Sequence, residues 1–332
     1  MAATSAEPAH AGLAPAEPPQ ADPTHAEPLP AGVRLLAIST VSGTLESFIT
    51  PYARHFRALG WQVDAAGNNA LCNPVVVAAF DGVYDLPLSR SLLDVRGLIK
   101  GRKAILDVIE KSRPDIVHVH TPIAGFLTRL AARQIPRSRR PAVVYTAHGF
   151  HFFKGGSRVT NAVFILVERI AGRWTDRLVV INEEDFAAAE RHHIVARRKL
   201  LQTRGIGVDT DFYAAHLVAP QEIRDVRAAL GVPDDAPMFL VPGELNRNKR
   251  QRDVVAALAR IRHTEAHLVL AGYAASEEAS LEQQISELGL RDRVHIAGFV
   301  RNFRPLILAA NVVVLASSRE GLARSIMEAL SL

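Results

Sequence analysis

Glu320 and Glu328 stand eight residues apart in the stretch Ser317-Ser318-Arg319-Glu320-Gly321-Leu322-Ala323-Arg324-Ser325-Ile326-Met327-Glu328, which follows an apolar run and opens a helical pattern. That spacing puts one carboxylate at the end of a loop and the other about two turns along a helix. Gly321 and Leu322 fall at the expected helix start. Backbone N–H groups there lack intrahelical partners and favour an anion by about 0.3–1 kcal/mol. Two carboxylates beside an anion site suit the hydroxyls of a sugar nucleotide whose pyrophosphate meets the helix. Taken alone, the spacing favours a plainer reading, a helix whose glutamates are solvated.

Three more motifs close apolar runs: Asp115-Ile116-Val117-His118-Val119-His120-Thr121-Pro122, Tyr145-Thr146-Ala147-His148-Gly149-Phe150-His151-Phe152 and Pro242-Gly243-Glu244-Leu245-Asn246-Arg247-Asn248-Lys249. His118 and His120 alternate with valine and so face one side of a strand. Such a pair can bind metal, but no carboxylate accompanies it locally, and satisfied histidines near a strand end are the favoured reading. His151 reads equally as loop packing, and His192-His193 as surface.

These residues sit in a chain of 332, room for two domains at about 100–200 residues each. At 48% hydrophobic and 22% charged, the chain is neither fibrous nor disordered as a whole. The longest apolar stretch, Ala162–Val167, ends at Glu168, far short of the roughly 18–20 residues of a membrane span. One cysteine, Cys72, excludes an intramolecular disulfide or a multi-cysteine metal site and fits a reducing, cytoplasmic compartment. Residues 1–33 contain no Lys or Arg, so they lack the basic start of a secretory signal. Seven of the 19 prolines lie in the first 30 residues and Ala-Glu-Pro recurs there, which predicts a disordered tail over 1–33. Without the four acids of that tail the net charge rises from +5 to +9. A body this basic suits anionic partners: phosphorylated substrates, anionic lipid or nucleic acid.

From Arg34 onward, short apolar runs alternate with amphipathic segments of helical period, the signature of βα units around a parallel sheet. Strands are expected at Leu35–Ser39, Gln62–Ala66, Val83–Leu88, Ile116–His120, Val143–Thr146 and Leu178–Ile181. Helices are expected near 95–112, 159–172 and 183–193. A further helix should carry Phe48, Tyr52, Phe56 and Leu59 on one face and end at Gly60. The breaker cluster Gly231–Pro237 precedes a second cycle, with strands at Met238–Val241, Leu268–Ala271, Val294–Ala297 and Val312–Ala316. Its helices are expected near 249–262, 277–288, 303–310 and 321–331. The economical fold is α/β: two doubly wound Rossmann-like domains, 34–212 and 238–332, joined by a linker over 213–237. Ligands should lie in the cleft, outside the carboxyl ends of the strands.

Together with the two glutamates, the motifs from Arg34 to the last residue resemble the retaining GT-B glycosyltransferases that use nucleotide sugars. The resemblance is strongest to bacterial enzymes of capsular, exopolysaccharide and lipopolysaccharide assembly. It implies that Glu320 contacts donor-sugar hydroxyls, Glu328 holds the ribose, Lys249 neutralises the diphosphate as it leaves, and His148 lines the donor-sugar pocket. It further implies that Gly43 admits phosphate close to the backbone and that Phe299 and Val300 lie near the nucleobase. Many members carry Arg where this chain has Glu244, and a carboxylate pointing inward there would repel phosphate. Arg247 or Arg250 would supply the missing charge.

The implied reaction is metal-independent and cofactor-free: retaining, front-face transfer from a nucleotide diphosphate donor, expected to be UDP-linked, to a polysaccharide or lipid-linked acceptor. A sugar-nucleotide epimerase of the same fold and a non-catalytic nucleotide-sugar-binding protein are the rivals. Two basic groups, Arg133/Arg137/Arg139/Arg140 and Arg96/Lys100/Arg102/Lys103, suggest peripheral contact with an anionic membrane, whereas no nucleic-acid recognition motif is present. The family pattern also continues beyond the second glutamate, while Leu332 lies four residues past Glu328. The resemblance therefore implies a truncated second domain, an uncovered apolar face of Leu322, Ile326 and Leu330, and little transfer by this chain alone.

Overall fold

A computed structural model describes residues 30–89, 94–261, 265–274 and 276–332. The expected tail lies, over 1–29, outside the described residues. Among the described residues the strands are β1 (Arg34–Val41), β2 (Gln62–Asn68), β3 (Gly82–Asp85), β4 (Ile116–His120), β5 (Ala142–Ala147), β6 (Arg177–Val180), β7 (Leu200–Gln202), β8 (Met238–Pro242), β9 (His267–Ala271), β10 (Val294–Gly298) and β11 (Val312–Val313). They form two parallel sheets, ordered β3-β2-β1-β4-β5-β6-β7 and β10-β9-β8-β11. The fold is thus the expected α/β pair of Rossmann-like sheets, the GT-B architecture. Central β1 is buried on both faces, with Leu36 in register with Asp64 on one side and Val117 on the other.

Strand order reverses between β1 and β4 in the first sheet and between β8 and β11 in the second. The carboxyl ends of those strands are where a crevice opens. The residues that follow β5, β8 and β11 therefore include His148, Lys249 and Glu320.

Some elements differ from expectation. After β1 the chain is helical over 42–58, wound as a π-helix at Leu45–Ile49, and Gly60 ends it at φ +80°. Its buried stripe is Leu45, Ile49 and Ala53 rather than the face of Phe48, Tyr52, Phe56 and Leu59, of which Tyr52 and Leu59 stay exposed. The unexpected helix Pro122–Ala132 begins on proline, which suits a first helical turn, and is buried on nearly every side.

The segment 213–237, expected as a linker, carries the helix Pro220–Ala229. Its Arg227 is buried and donates to the carbonyls of Ala309 (2.7 Å) and Pro233 (2.6 Å). Tyr213, Val232 and Ala236 join the core of the second domain. Apolar packing and a buried guanidinium thus tie this stretch to the second sheet. β11 is shorter than expected, and the last helix begins at Arg324, not 321. Leu330 on that helix is 83% exposed, whereas Ala329 and Leu332 pack on the core.

Candidate active site

Lys249 is placed by a tight turn after β8. Gly243, at φ +128°, lets the chain fold back so that the lysine stem lies where a Cβ would stand, 2.8 Å from Lys249 Cε. Asn246 then caps the short 3-10 turn Arg247–Lys249, its side chain accepting from the Lys249 N–H at 3.2 Å. Glu320 comes from the loop after β11. That loop is pinned by Asn248, whose Nδ2 donates to Arg319 O (2.9 Å) and whose carbonyl accepts from Ser318 N (2.8 Å). The two expected residues meet: Lys249 Nζ donates to Glu320 Oε1 at 2.7 Å, with side chains 20% and 27% exposed.

Glu328 is buried on the helix Arg324–Ser331, its Oε1 2.7 Å from Arg324 Nε. Burial, and then the adjacent Glu328 carboxylate, pushes the Tyr213 hydroxyl well above its usual range. Arg324 also crosses to the first domain. It donates to Ser47 O and lies 5.6 Å from the centroid of Phe48. Neither Arg324 nor Tyr213 was singled out from sequence, although an Arg four residues before Glu328 on one helix face is a readable ion-pair spacing.

His148 follows β5. Its Nε2 lies 3.1 Å from His120 Nδ1, and its ring stacks on Phe48 with centroids 5.5 Å apart. His118 shares a 2.7 Å hydrogen bond with Thr146 Oγ1, and its ring lies 4.2 Å from that of His120, the planes tilted by 40°. Burial, reinforced by His148, lowers His118 to about 4, and burial lowers His148 to about 4. Burial and both neighbouring imidazoles push His120 down as well. The three rings are therefore neutral at neutral pH. His120, expected only as a satisfied strand-end histidine, is the partner that orients His148.

Several expected donor residues stand elsewhere. Gly321 and Leu322 precede the N-cap Ala323, so they do not present the helix N-terminus. Gly321 instead packs on His148, where a Cβ would collide with the histidine carbonyl, and Leu322 packs on Gly205. Close approach of the domains is enough to require glycine at 321. Arg247 is 91% exposed and pairs with Glu277 at 3.3 Å, while Arg250 pairs with Asp253. Neither supplies a second cation beside Lys249. Glu244 is exposed and accepts from Asn246 Nδ2 at 3.4 Å. A Cβ on Gly43 would meet nothing within 4 Å, so the crevice is open beside the end of β1. Phe299 stacks on Tyr273 with centroids 4.3 Å apart, both rings more than half exposed, while Val300 packs partly on the core. Tyr273 was not expected, though its place just after β9 mirrors that of Phe299 after β10. Among the described residues no group of three or more His, Cys, Asp or Glu could hold a metal ion.

Comparison with known proteins gives this geometry a family. Residues 45–212 match the model of Glycosyltransferase Family 4, and residues 222–332 that of Glycosyl transferases group 1. The chain is 35% identical over 300 residues to EpsD of Bacillus subtilis (strain 168), a protein named as a glycosyltransferase, covering 90% of this chain and 76% of that one. It is 26% identical over 241 residues to the Escherichia coli UDP-Gal:alpha-D-GlcNAc-diphosphoundecaprenol alpha-1,3-galactosyltransferase, covering 70% of this chain and 60% of that protein. Among solved structures, Anabaena Alr3699/HepE in complex with UDP and glucose superposes with a TM-score of 0.73 at 19% identity, over 90% of this chain and 78% of that one.

Proposed function

The chain belongs to the glycosyltransferases, Family 4 over its first domain and group 1 over its second, and we propose that it is a retaining enzyme using a UDP-linked sugar. The observation that carries this reading is the Lys249–Glu320 pair, 2.7 Å apart, beside the close approach of Gly321 to His148. Without donor, each residue neutralises the other. With donor bound, Lys249 turns to the diphosphate, whose negative charge grows as the sugar leaves, and Glu320 accepts from sugar hydroxyls. Glu328 takes the ribose, exchanging part of its pairing with Arg324. His148 lines the sugar pocket as a neutral imidazole held by His120. No step uses a metal or cofactor, and the incoming hydroxyl attacks from the face the diphosphate leaves, assisted by that leaving group.

The acceptor in this reading is a polysaccharide or lipid-linked saccharide. The E. coli relative is named for a diphosphoundecaprenol acceptor, which supports that class. Peripheral contact with an anionic membrane belongs to the same proposal. Among the described residues no helix is long and apolar enough to cross a membrane. The helix Arg158–Gly172, however, exposes Val159, Val163 and Leu166, each more than half accessible, beside exposed Lys154, Arg158 and Arg169. The helix Val95–Ser112 likewise exposes Val95 and Ile99 beside Arg96, Lys100 and Lys103. The other basic group is partly engaged, Arg133 over the Trp174 ring and Arg140 with Asp176.

A thermal-shift screen of nucleotide sugars tests the donor. A ligand at 100 times its Kd stabilises the native state by about 2.7 kcal/mol. UDP-sugars should raise Tm more than their ADP- or GDP-linked counterparts, and Lys249→Ala should remove most of the rise. No shift with any nucleotide sugar would count against the assignment.

A further inference from the structure

The first domain holds a cavity of about 230 Å³ between its sheet and the 42–58 helical segment. Of the residues assigned to the donor, only His148 borders it. Its wall is apolar, built by Ala37 of β1, Val63 of β2, and Ile49, Ala53 and Phe56 of the helical segment. Among the described residues no Asp, Glu, Lys or Arg lines it, and its histidines are neutral for the reasons given above. A charged group such as a diphosphate would lose its hydration there without a counter-charge. Apolar cavities of about 150 Å³ stay dry and take up benzene, so this one has room for an aromatic ring with a short substituent.

An independent feature points to an occupant. His120 borders the cavity, is only 3% exposed, and spends its Nδ1 on His148, while its Nε2 has no hydrogen-bond partner. A buried polar atom left unpaired is unfavourable, and native proteins rarely keep one without a use. The most exposed lining residues are Tyr52 and Thr203. Tyr52 Oη donates to Ile206 O at 2.6 Å, and the neighbouring Gly205 touches Leu322 of the second domain. The cavity thus opens beside the contact between domains.

We propose that this cavity binds an uncharged apolar group, the size of a substituted aromatic ring, that bears one hydroxyl or carbonyl to pair with His120 Nε2. The group arrives either as part of the acceptor, which rests on the transferase reading, or as a free small molecule.

Ligand-detected NMR titration of the whole chain with benzyl alcohol and toluene tests the site directly. Both should bind wild type, and Ala53→Phe, which fills the cavity, should abolish both. His120→Leu should shift the ratio of the two Kd values about 2- to 10-fold toward toluene, the worth of one net hydrogen bond. Far-UV circular dichroism checks that each variant folds, with Ile49→Trp as the alternative filler. No binding to wild type, or binding undiminished by a folded filler variant, would overturn the proposal. Benzyl and methyl glycosides of glucose, galactose and N-acetylglucosamine, offered as acceptors, separate the two sources. A benzyl preference in KM that Ala53→Phe erases assigns the group to the acceptor; turnover without preference assigns it to a free ligand. Probe binding with neither transfer to any glycoside nor a thermal shift with any nucleotide sugar would count against the transferase reading and leave the cavity's ligand chemistry standing.

Discussion

Replacing Lys249 and Glu320 singly and together distinguishes a working donor site from a structural ion pair. The two atoms are 2.7 Å apart, and each side chain is about a quarter exposed or less, so screening limits their mutual stabilisation to about 1 kcal/mol. Lys249→Ala should cost that much in stability, because it leaves the Glu320 carboxylate without its partner. The double variant Lys249→Ala/Glu320→Gln should recover most of it. Rate should behave differently. A charged hydrogen bond to a diphosphate is worth about 1.5–3 kcal/mol, so Lys249→Ala should slow kcat/KM by roughly 10- to 150-fold. Glu320→Gln keeps a hydrogen-bonding side chain against the sugar and should cost about 10-fold in turnover, with a smaller loss in UDP affinity. Because the two act on different parts of the donor, their rate losses should multiply in the double variant while their stability losses cancel. Steady-state UDP release and urea unfolding of the four proteins read out both cycles. A double variant whose activity recovers along with its stability would show that the pair only holds the loop, and the reasoning would fail.

Acid should loosen the first domain. His118 and His148 are held at about 4 in the fold against about 6.5 when unfolded. The unfolded chain therefore binds protons first as pH falls, so this stability is complete above about pH 6.5 and is lost progressively toward pH 4. At pH 5 the loss is about 2 kcal/mol per histidine. Urea unfolding at pH 7.5 and 5 should show a shallower pH dependence in His118→Gln than in wild type; equal slopes would contradict the neutral-histidine assignment. Basic residues near anionic lipid contribute about 1 kcal/mol each. Wild type should co-sediment with anionic vesicles at low salt, and Val163→Asp/Leu166→Asp should weaken that by about tenfold or more, while absence of wild-type binding would end the membrane proposal.

The sheets were legible because buried parallel strands write themselves as short apolar runs between turn residues, as Leu35–Ser39 and Leu268–Ala271 do. Lys249 and Glu320 drew their expected roles from the family resemblance, and each lies in the connection after such a run, where a doubly wound sheet places its ligands. What stayed hidden is what periodicity cannot encode. The helix Pro122–Ala132 is buried on nearly every side and so shows no polar face to mark it. Arg227 reads as a surface charge until its carbonyl partners, as far away as Ala309, are brought beside it.

Gly321 has a role that local pattern does not show. The helix starts later than expected, at Arg324, and the smallness of Gly321 serves the approach of the His148 carbonyl, a contact between domains. His120 and His148 are 28 residues apart and meet only because β4 and β5 are paired in register. Arg324 lies four residues before Glu328, yet its reach to Ser47 depends on how the domains face each other. Local pattern carried the elements, and chemistry across the cleft required the fold.

The most direct test of retaining transfer at the Lys249–Glu320–His148 site follows the anomeric proton by NMR during turnover. The purified chain is supplied with UDP-glucose, UDP-galactose or UDP-N-acetylglucosamine and a lipid-linked or oligosaccharide acceptor. UDP should appear in step with a glycoside of the donor's own α configuration, and Lys249→Ala should slow both signals together. A β-configured product, or a new sugar nucleotide formed without acceptor, would contradict the account.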